Sequence, residues 1–264
     1  MTRRRLDAEL VRRGLVASRA EAQEAVRRGS VLVSGSPATK AETMVGADEP
    51  VLLSAKDTPF VSRAGAKLAA ALARFGVDPA GRDCLDAGAS TGGFTDCLLQ
   101  AGAATVLAVD VGYGQLAWSL RSDPRVEVRD RTNVRDLEPG DLPRLPEVVV
   151  VDLSFISLRL ALPALARLAA PKAEFVLLVK PQFEAGPADV GWGGVVSDPD
   201  VWRRVVVQVA EVAAGLGLAP AGAMASPLRG RAGNVEFLLH LRRPGETIAL
   251  DLDALVSEGE EVRA

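Results

Sequence analysis

A chain of 264 residues, 48% of them hydrophobic, can bury the core of one large α/β domain with a small second domain beside it. Its one histidine, His240, and its two cysteines, Cys84 and Cys97, count against a zinc site or a histidine-based triad, and no metal is expected. The net charge of −3 is unevenly spread: residues 1–30 hold eight arginines against four acids, a basic head on an acidic body.

The cysteines read as small core residues in a reducing compartment. The chain opens M-T-R-R-R without an apolar leader, and runs such as Val148–Val151 and Phe175–Val179 are too short to span a bilayer. The expectation is a soluble, cytoplasmic protein that does not engage membranes.

In chain order, residues 6–17 place Leu6, Leu10 and Val11 on one helical face with arginines opposite, and Gly14 fits a helix stop. Ser18 fits an N-cap with Glu21 as its capping-box partner. A second helix over about 19–29 ends at Gly29. Residues 31–40 predict a short strand and tight turn, and Pro50–Leu53 another strand. A basic head suits a polyanion-binding module; a solvated arginine-rich helix is the alternative that charge alone leaves open. Residues 54–61, with their proline, read as an interdomain linker, and Ala66–Phe75 as a helix covering the first strand of the body.

The stretch 84–95, C-L-D-A-G-A-S-T-G-G-F-T, organises the body. A short strand ends at Asp86, glycines bend the chain, and a helix opens near Phe94. That order begins a nucleotide-binding α/β sheet. The spacing Gly88-x-x-x-Gly92-Gly93 departs from the diphosphate-binding fingerprint, which argues against a NAD-dependent dehydrogenase. An acid at its root suits a ligand with positive charge and no phosphates, such as S-adenosyl-L-methionine. A plain strand-to-helix turn is the bland alternative.

Four further strands are predicted: Val106–Val109 ending at Asp110, Val126–Val128 near Asp130, Val148–Val151 at Asp152 and Phe175–Val179 at Lys180. Ligands of open α/β sheets bind beyond the carboxyl ends of strands, where these charges stand. Asp110 is placed to accept ribose hydroxyls, and Asp130, followed by Arg131, to meet an adenine edge. Trp202–Leu216 reads as a helix capped by Asp198 and Pro199, Asn234–Leu241 as a late strand, and Leu252–Val256 as a short tail helix.

Arginine outnumbers lysine 26 to 5, yet Lys67 and Lys180 stand in apolar or strand-terminal contexts. A desolvated lysine can give up its proton and arginine cannot, so Lys180 is a candidate general base. A structural lysine paired with Asp152 is the alternative.

The head resembles the small RNA-binding domain named after ribosomal protein S-four, through L-V-R-R-G-L-V-A-S-R-A-E-A-Q-E-A-V-R-R-G-S-V-L-V-S-G. That implies phosphate contacts from Arg3, Arg4, Arg5, Arg12, Arg13, Arg19, Arg27 and Arg28. The body resembles FtsJ-type ribose 2′-O-methyltransferases. The whole chain is similar to the TlyA family of rRNA (cytidine-2′-O)-methyltransferases, often labelled hemolysins. The strings S-R-A-G-A-K-L, D-V-G-Y-G-Q-L-A-W-S-L-R, D-L-S-F-I-S-L, V-K-P-Q-F-E and G-N-V-E-F carry the likeness, with the glycine stretch.

The resemblance implies a Rossmann-like S-adenosylmethionine-dependent methyltransferase sheet behind a small α+β RNA-binding domain, divided as 1–57, linker 58–61 and 62–264. It puts a K-D-K-E tetrad on Lys67, Asp152, Lys180 and Glu236. Lys180 would be the base toward the 2′-OH, oriented by Asp152 and Glu236. Beside Asp86, it implies cofactor contacts at Gly88, Ala89, Ser90, Gly92, Gly93, Phe94, Asp110, Val111, Asp130, Arg131 and Asp152. Where relatives' linkers carry tryptophan before valine, this chain has Phe60. The basic Met1–Arg5 and the extension Leu250–Ala264 imply action on rRNA of both the 30S and 50S subunits. A membrane-active hemolysin and a non-catalytic RNA-binding factor are the rival readings.

Overall fold

The computed structural model describes residues 3–16, 18–27, 29–53, 59–230 and 232–264. Arg28 and the boundary over 54–58, including Thr58, lie outside the described residues.

In the head, β1 (Arg4–Arg5) leads into α1 (Leu6–Arg12), followed by α2 (Arg19–Arg27), β2 (Val31–Val33), β3 (Ser36–Pro37), β4 (Met44–Val45) and β5 (Val51–Leu53). β1 pairs with β4, and β2 lies between β3 and β5. Leu6, Leu10, Ala22, Val26, Val31, Val45 and Val51 form one small core. As the sequence predicts, the Ser18 hydroxyl accepts the Glu21 N–H at 3.2 Å, and Gly14 follows α1 in the left-handed region.

The body opens with α3 (Ala64–Phe75) and β6 (Asp83–Ala87), then α4 (Gly93–Gln100), β7 (Thr105–Val109), α5 (Trp118–Arg121) and β8 (Val126–Arg129). Next come β9 (Val148–Val151), α6 (Leu158–Leu168), β10 (Ala173–Val179), α7 (Pro181–Glu184), α8 (Pro199–Gly215), β11 (Ala219–Ala225), β12 (Phe237–Arg243) and α9 (Leu252–Arg263). The seven strands of the body run in the order β11-β12-β10-β9-β6-β7-β8. From β10 to β8 they are parallel; β10, β9, β6 and β7 are largely buried, whereas edge strand β8 carries Glu127 and Arg129 on one face, and β12 runs antiparallel between β10 and β11. One apolar layer lies under α6 and α8, the other under α3 and α4.

Strand order reverses between β6 and β9. The crevice beyond such a switch point is where open α/β sheets bind ligands. The glycine bend and Asp152 both emerge there.

Two predicted elements differ in extent. The late strand begins at Phe237: the Asn234 backbone carbonyl accepts Gly230 N–H at 2.8 Å in a turn, while its side-chain amide accepts Val196 N–H (2.8 Å) and donates to Gly194 O (2.9 Å). The tail helix runs on to Arg263: its Gly259 lies against Trp202 and Phe237, leaving little room for a side chain. Tertiary packing carries the helix past a residue that disfavours it.

Trp202 is fully buried, donates its Nε1–H to Val196 O at 2.8 Å and packs on Phe237 with ring centroids 5.7 Å apart. It joins α8, β12 and the loop that bonds Asn234. Trp202→Ala is expected to lower the unfolding free energy by about 3–5 kcal/mol, measured by chemical denaturation.

Candidate active site and nucleic-acid interface

The glycine bend holds its shape through backbone bonds. Gly88 N–H and Ala89 N–H both donate to Val109 O, at 2.8 and 3.1 Å. Gly88 has φ 92°, and a Cβ there would collide with the Asp152 carbonyl. Gly92 has φ 96°, with no room for a Cβ beside Leu116 and Leu120. Both positions require glycine. Gly93 and Phe94 begin α4, and Ser90 itself adopts a positive φ of 47°.

Asp86 does not line the open face of the bend. It is fully buried beneath it, accepting the Thr95 hydroxyl at 2.6 Å and the Thr95 backbone N–H. It therefore caps α4 from within, on the spot where a dinucleotide cradle would hold phosphate. Burial, reinforced by the charges of Asp152 and Asp110, pushes its carboxyl up to about 7, and its Oδ1 has no partner.

Asp110 extends from β7 and is held at the mouth by Ser90 N–H at 2.8 Å and Gly112 N–H at 2.7 Å. Each carboxylate oxygen keeps a lone pair for a ribose hydroxyl. Val111 beside it is exposed. Asp130 is paired with Arg121 at 2.7 Å, and Arg131 (φ 53°) lays its guanidinium 4.4 Å from the centroid of the exposed Tyr113 ring. A glycine cradle, a ribose-competent acid and a buried carboxyl with a free oxygen suit a nucleoside bearing a positive charge. S-adenosyl-L-methionine fits that description.

Beyond the crevice stand four charged side chains. Lys180 caps β10, and its Nζ lies 2.5 Å from Asp152 Oδ1, an ion pair without hydrogen-bond alignment, while donating to Ser154 Oγ at 2.9 Å. The β10–β12 register pairs Val179 with Phe237, so Glu236 follows on opposite Lys180. Glu236 is itself ion-paired with Lys67 of α3. Lys67, Lys180 and Glu236 are each less than 10% exposed. Buried charges of this kind persist only when paired. Lys67, Asp152, Lys180 and Glu236 thus assemble as two ion pairs beyond the carboxyl ends of the central strands β9 and β10.

Three contributors escape sequence reasoning. Ser154 is one. Phe155 is another: 92% exposed, at φ 63°, with its ring 5.2 Å from Phe183. Glu184 is the third, buried at the end of α7. It accepts Ser157 Oγ–H and Leu158 N–H, both at 2.6 Å, and its carbonyl accepts from Arg159 at 2.9 Å. It clamps the loop carrying Asp152 and Ser154 onto the segment carrying Lys180. Ser157 ahead of an apolar periodic run is an N-cap signal that points to α6 and thereby to this clamp.

The linker aromatic is seated where it touches the site. Phe60 covers Gly65, where a Cβ would also meet Gly93 O at 2.8 Å. Val61 N–H donates to Asp96 at 2.7 Å, and Gln100 donates to Pro59 O at 2.9 Å.

The head arginines are tied to acids. Buried Asp7 accepts from Arg5 (3.0 Å) and Arg19 (2.8 Å), and buried Glu9 from Arg12 (2.6 Å) and Arg13 (2.8 Å). These guanidiniums hold both carboxyls well below the usual range. Arg27 pairs with Glu24, Arg3 donates to Met44 O at 2.9 Å, and Arg4 is exposed. Arg13 also ties down the carbonyls of Gly46, Ala47 and Glu49 and is largely enclosed. Each guanidinium has five donors, so Arg5, Arg12 and Arg19, about half exposed, retain some for phosphate.

The family model for FtsJ-like methyltransferases matches residues 60–243, and that for the S4 domain matches residues 4–51. The 16S/23S rRNA (cytidine-2′-O)-methyltransferase TlyA of Mycobacterium tuberculosis is 54% identical over 242 residues, covering 91% of this chain and 90% of that protein. Hemolysin A of Brachyspira hyodysenteriae is 37% identical over 238 residues, covering 89% of this chain and 98% of that one. A solved structure from Streptococcus thermophilus, described as a candidate hemolysin, superposes with a TM-score of 0.79 at 37% identity, covering 99% of this chain and 97% of that one. Among the described residues, no helix is long and apolar enough to cross a membrane.

Two outcomes are expected. Because the fold raises the Asp86 carboxyl, its contribution to stability is full below the unfolded value and is lost as pH rises through about 7. Asp86→Asn keeps an acceptor for Thr95 without ionising. Its thermal midpoint should therefore exceed that of wild type at about pH 8, with the gap narrowing toward about pH 4. Glu184→Ala strands the Leu158 N–H and should destabilise by about 1–3 kcal/mol, read by denaturation, while cofactor affinity by calorimetry stays within about twofold.

Proposed function

The chain belongs to the family of FtsJ-like methyltransferases, and from that premise we propose that it transfers a methyl group from S-adenosyl-L-methionine to the ribose 2′-OH of a cytidine in ribosomal RNA. The relative from Mycobacterium tuberculosis, named for 16S and 23S rRNA, supports substrates in both the 30S and 50S subunits. A ribosomal substrate makes the cytoplasm the working compartment. The observation that carries the reading is the double ion pair, Lys67–Glu236 and Lys180–Asp152, set beside the glycine bend at the switch point.

In this reading Gly88, Ala89, Ser90, Gly92 and Gly93 would form the wall that holds the cofactor, while Phe94, buried in the core, anchors the start of α4 behind it. Asp110 binds its ribose. Val111, Asp130 and Arg131 would hold its base, and Asp86 braces the bend from below. S-adenosyl-L-methionine supplies, when bound, an electrophilic methyl on a positively charged sulfur. The protein's tasks are then to align a 2′-oxygen with that carbon and to remove its proton. Alignment can contribute about 7–11 kcal/mol. Lys180 Nζ accepts the proton; Asp152 and Ser154 fix where that nitrogen stands. Glu236 neutralises Lys67, leaving the site with balanced charge.

A ribose 2′-OH restricts the substrate to RNA. A nucleotide within a helix has to turn out of its stack, at a cost of a few kcal/mol, to reach the crevice. Arg3, Arg4, Arg5, Arg12, Arg19 and Arg27 meet phosphate backbone, with Arg13 ordering the turn beside them. The head, 1–57, grips RNA while the body, 62–264, carries out the transfer across the linker at 58–61.

Lys180→Ala should lower transfer by roughly 10²–10⁴-fold while leaving cofactor binding nearly intact. Tritium transfer from labelled cofactor to ribosomal subunits, with calorimetry for the cofactor, measures both. A variant methylating at the wild-type rate removes the base from this mechanism.

A further inference from the structure

Trp192 is completely exposed. An indole left in water does nothing for the fold, since its burial term is lost. Its loop, by contrast, is firmly built. Gly191 N–H donates to Val195 O at 2.9 Å, and Gly194 N–H to Gly191 O at 3.1 Å. Asn234 ties Gly194 O and Val196 N–H, and Val196 O receives the Trp202 indole. The loop is thus a shaped support holding a free aromatic ring.

Its position is equally defined. The loop leaves the sheet just past Lys180, by way of α7. It is pinned at its far side by Asn234, two residues before Glu236. Both attachments lead to the residues paired around the crevice. Trp192 is flanked by exposed Gly191, Gly193 and Gly194, and space around the latter two is open. Neither face of the indole is covered by a neighbouring side chain from its own loop. A protein-docking anchor is normally ringed by apolar neighbours that keep water out. Glycines supply no such ring. A planar base, however, needs only a planar surface.

We propose that Trp192 is a stacking platform for an unpaired base of the RNA substrate, next to the nucleotide that enters the crevice. This rests on the reading of the protein as an RNA methyltransferase. Its role is positioning: the stacked base fixes the register of the RNA strand over the site, while the chemistry belongs to Lys180.

Trp192→Ala should raise the KM for ribosomal subunits by about 5- to 150-fold, the loss of one stacked base. The kcat at saturating RNA, the cofactor affinity and the thermal midpoint should be unchanged; Trp192→Phe should recover most of the affinity. Indole emission supplies a second readout. Stacking on RNA should quench it in wild type and in Trp118→Phe but much less in Trp192→Phe. An active enzyme whose KM and quench are untouched by Trp192 substitutions overturns the proposal. So does weaker subunit binding with the quench retained, which puts the contact on ribosomal protein. Wild-type failure to methylate any rRNA is a different result: it defeats the methyltransferase reading, and the quench with single-stranded RNA still judges the stacking.

Discussion

The antiparallel insertion of β12 beside β10 is the constraint on which the site depends. A purely parallel sheet would bring strand ends, and hence their charges, to the crevice only from β6, β7, β8, β9 and β10. Because β12 runs the other way, its beginning meets the end of β10, and Glu236 arrives opposite Lys180. That carboxylate then reaches Lys67 on α3, on the face of the sheet where Leu238 also packs. Two lysines buried at this end of the sheet would repel each other and lose hydration. Two acids from different strands make that arrangement tenable.

The bend shows the same economy. A helix N-terminus attracts anions, and most nucleotide folds offer it to phosphate. Here Asp86 takes that place from inside the protein. The loop above is left with Asp110, whose carboxylate is held at the mouth by backbone N–H groups, and below it a carboxyl that burial makes reluctant to ionise. A positive charge nearby relieves that reluctance, and a phosphate would deepen it.

Much of this was legible in the sequence because it is local. Glycines at positive φ, charges at strand ends and the Asp198 cap each depend on a few neighbouring residues, and these were found where expected. Lys67, Asp152, Lys180 and Glu236 were legible only through the family pattern, since nothing in spacing tells that residues 67 and 236 touch. What escaped depends on contacts between loops. Glu184 reads as a surface acid until Ser157 and Leu158 are seen to bind it. Asp86 reads as facing a ligand until its strand is seen to bury it. The arginines of the head read as free cations, yet Asp7 and Glu9, buried on α1, claim one edge of four of them. Trp192 was passed over because exposure cannot be read from a lone tryptophan among glycines.

That partial claim on the arginines has a consequence for how the two domains act together. A guanidinium anchored to a buried acid loses little further entropy on meeting a phosphate, so binding is favoured over that of a loose side chain. The anchoring also stiffens the head, whose hairpin presses on the body: Trp118 N–H donates to Gly35 O at 3.0 Å, and a Cβ on Gly35 would stand 2.6 Å from Leu116 O. Leu116 and Leu120 pack against Gly92, and Gln115 accepts from Ser90 at 3.2 Å. Between head and body, Arg13, Glu49, Tyr113, Gln115 and Arg131 line a cavity of about 380 Å³. On the other side Phe60 and Val61 brace α3 and α4. The head and the linker therefore meet the elements around the glycine bend along two packed routes. Contiguity of this kind is necessary for coupling, but coupling itself needs an element with two arrangements. Phe60 lies where such an element would have to act, since its ring bears on Gly65 beside Gly93, the first residue of α4. A shift of that ring would reach both the bend, through Gly93, and Lys67, two residues along α3 from Gly65.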